Sequence, residues 1–289
     1  MSPLAMHVGE RGFGDRRASS GRSAEDSSAT QRPGRVHDQD RFYDSEALVA
    51  GASSLTGVEE EALRRAVGEV ASLEIIHLQC HIGFDSISLA RAGARVTGLH
   101  FSPVSLTKAA ALTERCRVEL SLVEADVCHP PSDLLGRLDL AYATIGVLCW
   151  IGDIDAWTTA VHDLLQPGGS LVLVETHHFQ AMIDTTDPLV LDFPYCFDGP
   201  HLFDNPGSYT DRAAKIQATK TVQYAQSLGE VVAAAIDAGL VLRWLAERTD
   251  APRDYRGDLA GLESDGQYRL RLGGEPVPVL YGLVADQPA

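Results

Sequence analysis

The chain has 289 residues, 45% of them hydrophobic, and carries 40 acidic against 24 basic side chains for a formal charge of −16. That balance argues against a nucleic-acid-binding surface, because phosphate contacts need clustered Lys and Arg, and a small molecule is the expected partner. Length and apolar content suit one α/β domain with an elaboration rather than two independent domains.

Residues 1–38 are rich in Gly, Ser, Arg and Asp and poor in large apolar groups, so they cannot offset the entropy of ordering and are expected to be a disordered tail. Arg41-Phe42-Tyr43-Asp44 then opens a helical region. Its clearest part follows Thr56, with Val58, Ala62, Leu63, Ala66, Val67 and Val70 on one face and Glu59, Glu60 and Glu61 near the N-terminus, where carboxylates suit the dipole. An apolar run from Glu74 to Leu78 has strand length and ends in a tight loop with a single glycine, Gly83; Asp85 and Ser86 open a helix behind it. A second strand over Arg95 to His100 completes a right-handed βαβ unit, whose loop lies at the carboxyl edge of a parallel sheet. Open α/β sheets bind their ligands there.

Ser102 as N-cap and Pro103 as first helical residue start the next helix, which is expected to run to about Arg117. Strands follow at 118–123, 138–144 and 170–175. Between the last two lies an amphipathic helix through Ile154, Trp157, Val161, Leu164 and Leu165, stopped by Pro167-Gly168-Gly169. The alternation reads as a doubly wound sheet. From 179 to 226 it breaks: Phe193, Tyr195, Phe197, Phe203, Tyr209 and Tyr224 stand among Asp, Pro and Gly, as in a cap inserted over a ligand crevice. Ser227-x-x-Glu230 is a capping box that starts a helix closed by Gly239. A strand at 240–245 and an antiparallel strand at 276–285, with proline at its start, finish the chain.

Leu78-Gln79-Cys80-His81-Ile82-Gly83, followed by Val96-Thr97-Gly98-Leu99-His100-Phe101-Ser102-Pro103, resembles the S-adenosylmethionine (SAM) pocket of class I SAM-dependent methyltransferases. The subtype is the one that reads Gln-Cys-His where the commonest version has Gly-Cys-Gly. The resemblance spans roughly residues 40–285. It implies an α/β, Rossmann-like fold: a doubly wound, mostly parallel seven-stranded sheet with an inserted cap. It also implies a division into a tail (1–38), an N-terminal helical lid (39–72), a SAM-binding core (73–178), a substrate cap (179–226) and a C-terminal completion of the sheet (227–289). SAM is the implied cofactor and S-adenosylhomocysteine its product. A dinucleotide is disfavoured by the residues themselves, since pyrophosphate binding needs several loop glycines and only Gly83 is present.

The resemblance assigns cofactor contacts to Gln79, Cys80, His81 and Gly83 in the first loop and to His100, Phe101 and Ser102 after the second strand. Asp126 would accept from the adenine amino group, Val127 would present a backbone amide to the ring, and Thr144 and Gly146 would face the methionine part. Asp85 would approach the methionine ammonium. Relatives hold both ribose hydroxyls with an acidic residue where this chain has His100, and a neutral imidazole makes only one such bond well, so Gln79 and Ser102 are candidates to share it.

Methyl transfer from a sulfonium needs alignment, desolvation and a base where the acceptor arrives protonated. The candidate bases are His177 and His178, of which an extended chain points only one at the pocket. Tyr43 would touch cofactor or substrate, or else staple the lid to the core. Trp150, Tyr195, Phe197, Tyr209 and Tyr224 are candidate substrate residues, an apolar box or a cation–π wall for an amine, the alternative being the cap's own core. Relatives carry Trp and His ahead of the Ser227 helix; here Tyr224, Ala225 and Gln226 stand there, so the relatives' acceptor chemistry does not carry over. Nucleic-acid and protein methyltransferases have Asn-Pro-Pro-Tyr or Asp-Pro-Pro-Tyr after the fourth strand, where this chain has Thr144-Ile145-Gly146-Val147.

The expected activity is methyl transfer to nitrogen or oxygen, with carbon allowed, of a small molecule in bacterial secondary metabolism. The alternative is a non-methylating cyclase or pericyclase on the same pocket. No apolar run approaches the roughly 20 residues that span a bilayer and the N-terminus has no signal-peptide core, so a cytoplasmic protein with no membrane partner is expected. The 5 cysteines are odd in number and widely spaced, and neither Cys-x-x-Cys nor His-x-x-x-His occurs, which suits reduced thiols and no protein-built metal site. Pairing of copies through caps or N-terminal segments, giving a homo-oligomer, is left open.

Overall fold

The computed structural model describes residues 43–204, 220–255 and 259–289. The tail expected over 1–38, and Tyr209, lie outside the described residues.

Seven strands form one sheet: β1 Glu74–Leu78, β2 Arg95–His100, β3 Ser121–Glu124, β4 Leu138–Thr144, β5 Leu165–Thr176, β6 Val241–Arg248 and β7 Leu280–Asp286. Their spatial order is β6-β7-β5-β4-β1-β2-β3. β1 to β5 run parallel, and β7 lies antiparallel between β5 and β6. Strand order reverses at β1, which pairs β2 on one side and β4 on the other, so the crevice of this sheet opens above β1 and β4.

Helices cover both faces, which is why the central strands are apolar throughout rather than alternating. The helices are α1 Ser45–Val49, α2 Gly57–Ala66, α3 Phe84–Arg91, α4 Pro103–Cys116, α5 Ile154–Leu164, α6 His178–Ala181 and α7 Leu228–Asp237. On one face Val58, Ala62 and Leu63 of α2 pack with Ile75, Leu140, Val172 and Val284. On the other, Trp157 and Val161 of α5 and Val231 and Ala235 of α7 pack with Ile76, Leu78, Leu171 and Leu283. Leu48 of α1 joins Phe84, Ile87 and Leu112 in a smaller core that docks the N-terminal segment on α3 and α4.

Several boundaries differ from the expectations, each for a local reason. α2 ends at Ala66, and Gly68 turns away with φ 75°, so Val70 is not on its face. Arg117 caps α4 in the left-handed region, and β3 begins only at Ser121. α5 passes directly into β5, which starts at Leu165: the pairings Leu138↔Leu165 and Leu140↔Ser170 leave residues 166–169 looped out of the strand. Pro276 belongs to a short hairpin opposite Arg271, so β7 starts at Leu280.

Residues 179–226 contain α6 and two antiparallel hairpins, Ile183–Thr186 with Leu189–Leu191 and Pro200–Asp204 with Lys220–Tyr224. The second hairpin is seated on the loop after β4. A Cβ on Gly152 would stand 2.9 Å from Cζ of Tyr224, so only glycine admits that ring, and Gln226 Nε2 donates to the Ile151 carbonyl at 2.8 Å. Between β6 and β7 the chain forms two further hairpins, Gly261–Leu262 with Tyr268–Arg269 and Arg271–Leu272 with Glu275–Pro276. Among the described residues no helix is long and apolar enough to cross a membrane.

Candidate functional site

The loop after β1 is held in an unusual backbone shape. Gln79 (φ 54°), His81 (φ 51°) and Gly83 (φ 81°) all adopt left-handed conformations, two of them without glycine's freedom. Tertiary contacts hold the loop there. The Gln79 side chain donates to the Val147 carbonyl at 3.1 Å and accepts from the buried Trp157 indole at 3.3 Å, tying the loop after β1 to the loop after β4. The Cys80 amide donates to the Leu99 carbonyl at 3.0 Å, and its thiol packs where a Cβ on Gly98 would come within 2.9 Å of Sγ. Burial pushes the Cys80 thiol up to about 12, so it is packing material and not a nucleophile.

Glu175, at the end of β5, shapes the facing loop. Its carboxylate accepts the amides of Gly146 (2.5 Å), Val147 (2.8 Å) and Leu148 (3.0 Å), three consecutive donors that fold the loop after β4 around one side chain.

A cavity of about 90 Å³ opens between these loops. Of the expected site residues, Tyr43, Gln79, Cys80, His81, Gly83 and Thr144 line it. Asp85, expected near the methionine ammonium, lines it too, as do residues given no site role in the sequence: Glu59 of α2, His77 of β1, and Arg253 and Tyr255 from the segment after β6. Tyr43 packs its ring edge-on to Phe84 (5.1 Å) and against His81 (5.6 Å), so it both staples the N-terminal segment and lines the cavity. Asp85 accepts from Ser54 Oγ at 2.6 Å and from Thr144 Oγ1 at 3.0 Å. Glu59 is 3% exposed; it accepts the Thr56 amide at 2.6 Å and the Tyr142 hydroxyl at 3.0 Å. Burial first, and the neighbouring Asp85 second, raise its carboxyl to about 7. Burial lowers His77 to about 4, leaving it neutral against Ser86 Oγ at 2.8 Å.

His100, Phe101, Ser102, Asp126, Val127 and Gly146 stand at the same carboxyl edge, outside this cavity. His100 has a buried Nδ1 with no hydrogen-bond partner, and burial, then His81 and His77, lower the ring to about 4. Phe101, 69% exposed, lies beside it at 4.9 Å. Ser102 Oγ accepts the Ser105 amide as helix cap (3.3 Å), and the Gln79 amide is engaged at both its ends. Asp126 closes its own turn, accepting from the Cys128 amide at 3.0 Å.

The two candidate bases diverge. His177 is buried and spends both nitrogens: Nδ1 accepts the Phe179 amide at 3.2 Å, so Nε2 donates to Glu247 at 2.8 Å. His178 donates Nε2 to the Pro194 carbonyl at 3.0 Å, keeps a lone pair on Nδ1, and meets Phe193 and Tyr195 of the cap; burial lowers it below its ordinary value. Neither lines the cavity at the first loop. Phe197 stacks on Tyr224 at 6.2 Å, and Trp150 is 44% exposed in the loop below that hairpin. Among the described residues no group of three or more His, Cys, Asp or Glu is placed to hold a metal ion.

Glu59 sits in a Thr56-x-x-Glu59 pattern, which signals a helix start but carries no sign of burial. Arg253 and Tyr255 have no local signal at all.

Residues 76–171 match the family described as a methyltransferase domain, a span from within β1 into β5 that contains the loops just described. The fold is shared with an S-adenosylmethionine-dependent methyltransferase from Mesorhizobium loti (TM-score 0.56, 23% identity, over 82% of this chain and 99% of that one). It is also shared with geranyl diphosphate C-methyltransferase from Streptomyces coelicolor (TM-score 0.52, 13% identity, 91% and 89%) and with the cyclase SpnF (TM-score 0.53, 14% identity, 89% and 96%). No curated protein matches the sequence. Residues 76–171 thus match a methyltransferase domain, and the chain shares the fold of SAM-dependent methyltransferases.

Proposed function

We propose that this protein transfers the methyl group of SAM to nitrogen or oxygen, with carbon allowed, of a small-molecule acceptor in bacterial secondary metabolism. The observation that supports it best is the loop of Gln79 to Gly83, drawn open by its left-handed residues and tied to the loop after β4 beside a polar cavity. The site residues fit the cofactor on two counts. The buried His100 Nδ1 lacks a partner where a ribose hydroxyl would supply one, and the outer side of Gly146 is open, with no heavy atom within 4 Å of where a Cβ would stand.

In this reading Asp126 and Val127 hold the adenine, His100 with Phe101 the ribose, and Gly83, Thr144 and Gly146 the methionine part, with Asp85 toward its ammonium. SAM supplies a methyl already activated on a sulfonium. The protein's residues align and exclude water: Tyr43 and the lid close the cavity, and the cap hairpin over Trp150, Phe197, Tyr195 and Tyr224 receives the acceptor. His178, neutral and with a lone pair on Nδ1, is the base candidate, whereas His177 holds α6 to β6. The divisions at 39–72, 73–178, 179–226 and 227–289 are kept as functional units.

Calorimetric titration with SAM and with S-adenosylhomocysteine, alongside Asp126→Ala, tests the pocket. Saturable binding weakened by the substitution supports it, and no binding at millimolar ligand sinks it. The second reading, a non-methylating cyclase, rests on His100 where an acidic residue is usual. It requires that SAM and its demethylated product support activity equally.

A further inference from the structure

Methyl transfer as read above leaves Glu59 without a role, yet this side chain is buried to 3% exposure and lines the cavity with a second carboxylate, Asp85. Its two described hydrogen bonds come from neutral donors: the Thr56 amide on one oxygen and the Tyr142 hydroxyl on the other. The charged and titratable groups around it are Tyr142 from β4, His77 from β1, Asp85 from α3, and Arg253 with Tyr255 from the segment after β6. Beyond them Arg248 of β6 is engaged with Glu61 (3.6 Å) and Asp250 (3.0 Å). Asp85 is stabilised by two hydroxyl donors, Ser54 and Thr144, whereas burial keeps His77 neutral. Two carboxyls in one desolvated cavity do not both ionise cheaply, and Glu59, the more deeply buried of the two, is the one on which charge costs most. Burial and Asp85 accordingly raise Glu59 toward neutrality.

We propose that Glu59 holds a proton before the cofactor binds and releases it to solvent when the cationic end of the cofactor enters the cavity beside Asp85, so that binding and ionisation of Glu59 are one coupled event. The O–H bond of the carboxyl breaks, the electron pair stays on the carboxylate, and the proton leaves to water and buffer. The new charge is then balanced by the ligand's ammonium, which keeps its own protons. The inference rests on the reading that this cavity takes the methionine end of SAM.

The test is titration of the full-length protein with S-adenosylhomocysteine at pH 7 in phosphate and in Tris, whose ionisation enthalpies differ, repeated with Glu59→Gln. About half a proton per site is expected to be released by the wild type, and the affinity is expected to tighten about tenfold from pH 6 to pH 8. Glu59→Gln, checked for folding by circular dichroism, is expected to bind with no buffer dependence and a flat profile. Saturable binding by the wild type with equal enthalpies in both buffers and no pH dependence overturns the coupling alone and needs no variant. Buffer dependence that survives in Glu59→Gln also overturns it. Absence of binding at millimolar ligand in either protein overturns the cofactor reading and this inference with it.

Discussion

The Tyr142 hydroxyl donates to Glu59 Oε1 at 3.0 Å, across 83 residues of sequence, and so joins a side chain of β4 to the first turn of α2 in the core. Tyr142 is fully buried, so the donor has no water to fall back on. Tyr142→Phe removes it at constant shape. The expected loss of stability is about 1 kcal/mol at pH 5, where Glu59 is protonated, and roughly 2 kcal/mol at pH 8, where the bond would be to a carboxylate. Urea unfolding at the two pH values checks this; an equal loss at both would show that Glu59 does not titrate between them.

Glu59 itself makes the fold sensitive to alkali. Its folded pKa of about 7 lies above the ordinary 4.5, so the stability tied to its protonated form is complete below pH 4.5 and is lost as pH rises through 7. The loss is bounded at roughly 3 kcal/mol by the size of the shift. Glu59→Gln, which never ionises, is expected to melt at the same temperature as the wild type or slightly below it near pH 4.5, and above it at pH 8. Parallel pH profiles for the two proteins would refute this.

Gln79→Ala leaves the Val147 carbonyl and the buried Trp157 indole N–H without their partner. A destabilisation of about 2 kcal/mol is expected, with weaker S-adenosylhomocysteine binding because the two loops lose their tie. Denaturation and calorimetry on the same sample separate the two effects.

A Cβ at position 98 would stand 2.9 Å from Cys80 Sγ and 3.1 Å from Leu122 Cδ2. Gly98→Ala is expected to cost about 2 kcal/mol through overpacking, and Cys80→Ala in the same chain to recover part of it. A double variant no more stable than Gly98→Ala would place the strain on Leu122 instead.

His100→Asp sets a carboxylate at the end of β2, able to accept from both ribose hydroxyls. S-adenosylhomocysteine is expected to bind about tenfold more tightly, the worth of one charge-assisted hydrogen bond. Unchanged or weaker affinity would mean that the ribose does not lie against this residue.

Where a signal is local, expectation and structure coincide. β2 and β4 have the expected bounds, Arg95–His100 and Leu138–Thr144, because each is a strand-length run bounded by turn residues. The Ser227–Glu230 capping box closes as read, with the Ser227 amide donating to Glu230 Oε2 at 2.8 Å. The tight turn after β1, with Gly83 ahead of the next helix, was legible in the sequence. Its tie to Trp157 was not, since nothing in either segment indicates that Gln79 and the indole meet.

The pattern of strands, helices and capping residues in the chain determined the doubly wound sheet, the antiparallel last strand and the carboxyl edge as the place for a site. Periodicity and capping act within a few residues and are written where they act. Which side chains share the cavity was decided only by tertiary packing. Glu59 read as a carboxylate near a helix N-terminus, suited to the dipole, and is a buried acid because α2 lies on the sheet with that turn facing Tyr142 and Asp85. His177, a base candidate by position, was turned toward Glu247, and Arg253 and Tyr255 arrived from beyond β6. Desolvation and charge pairing depend on what the fold stacks against a residue, and that is set by contacts across tens to hundreds of residues, which no local stretch of sequence encodes.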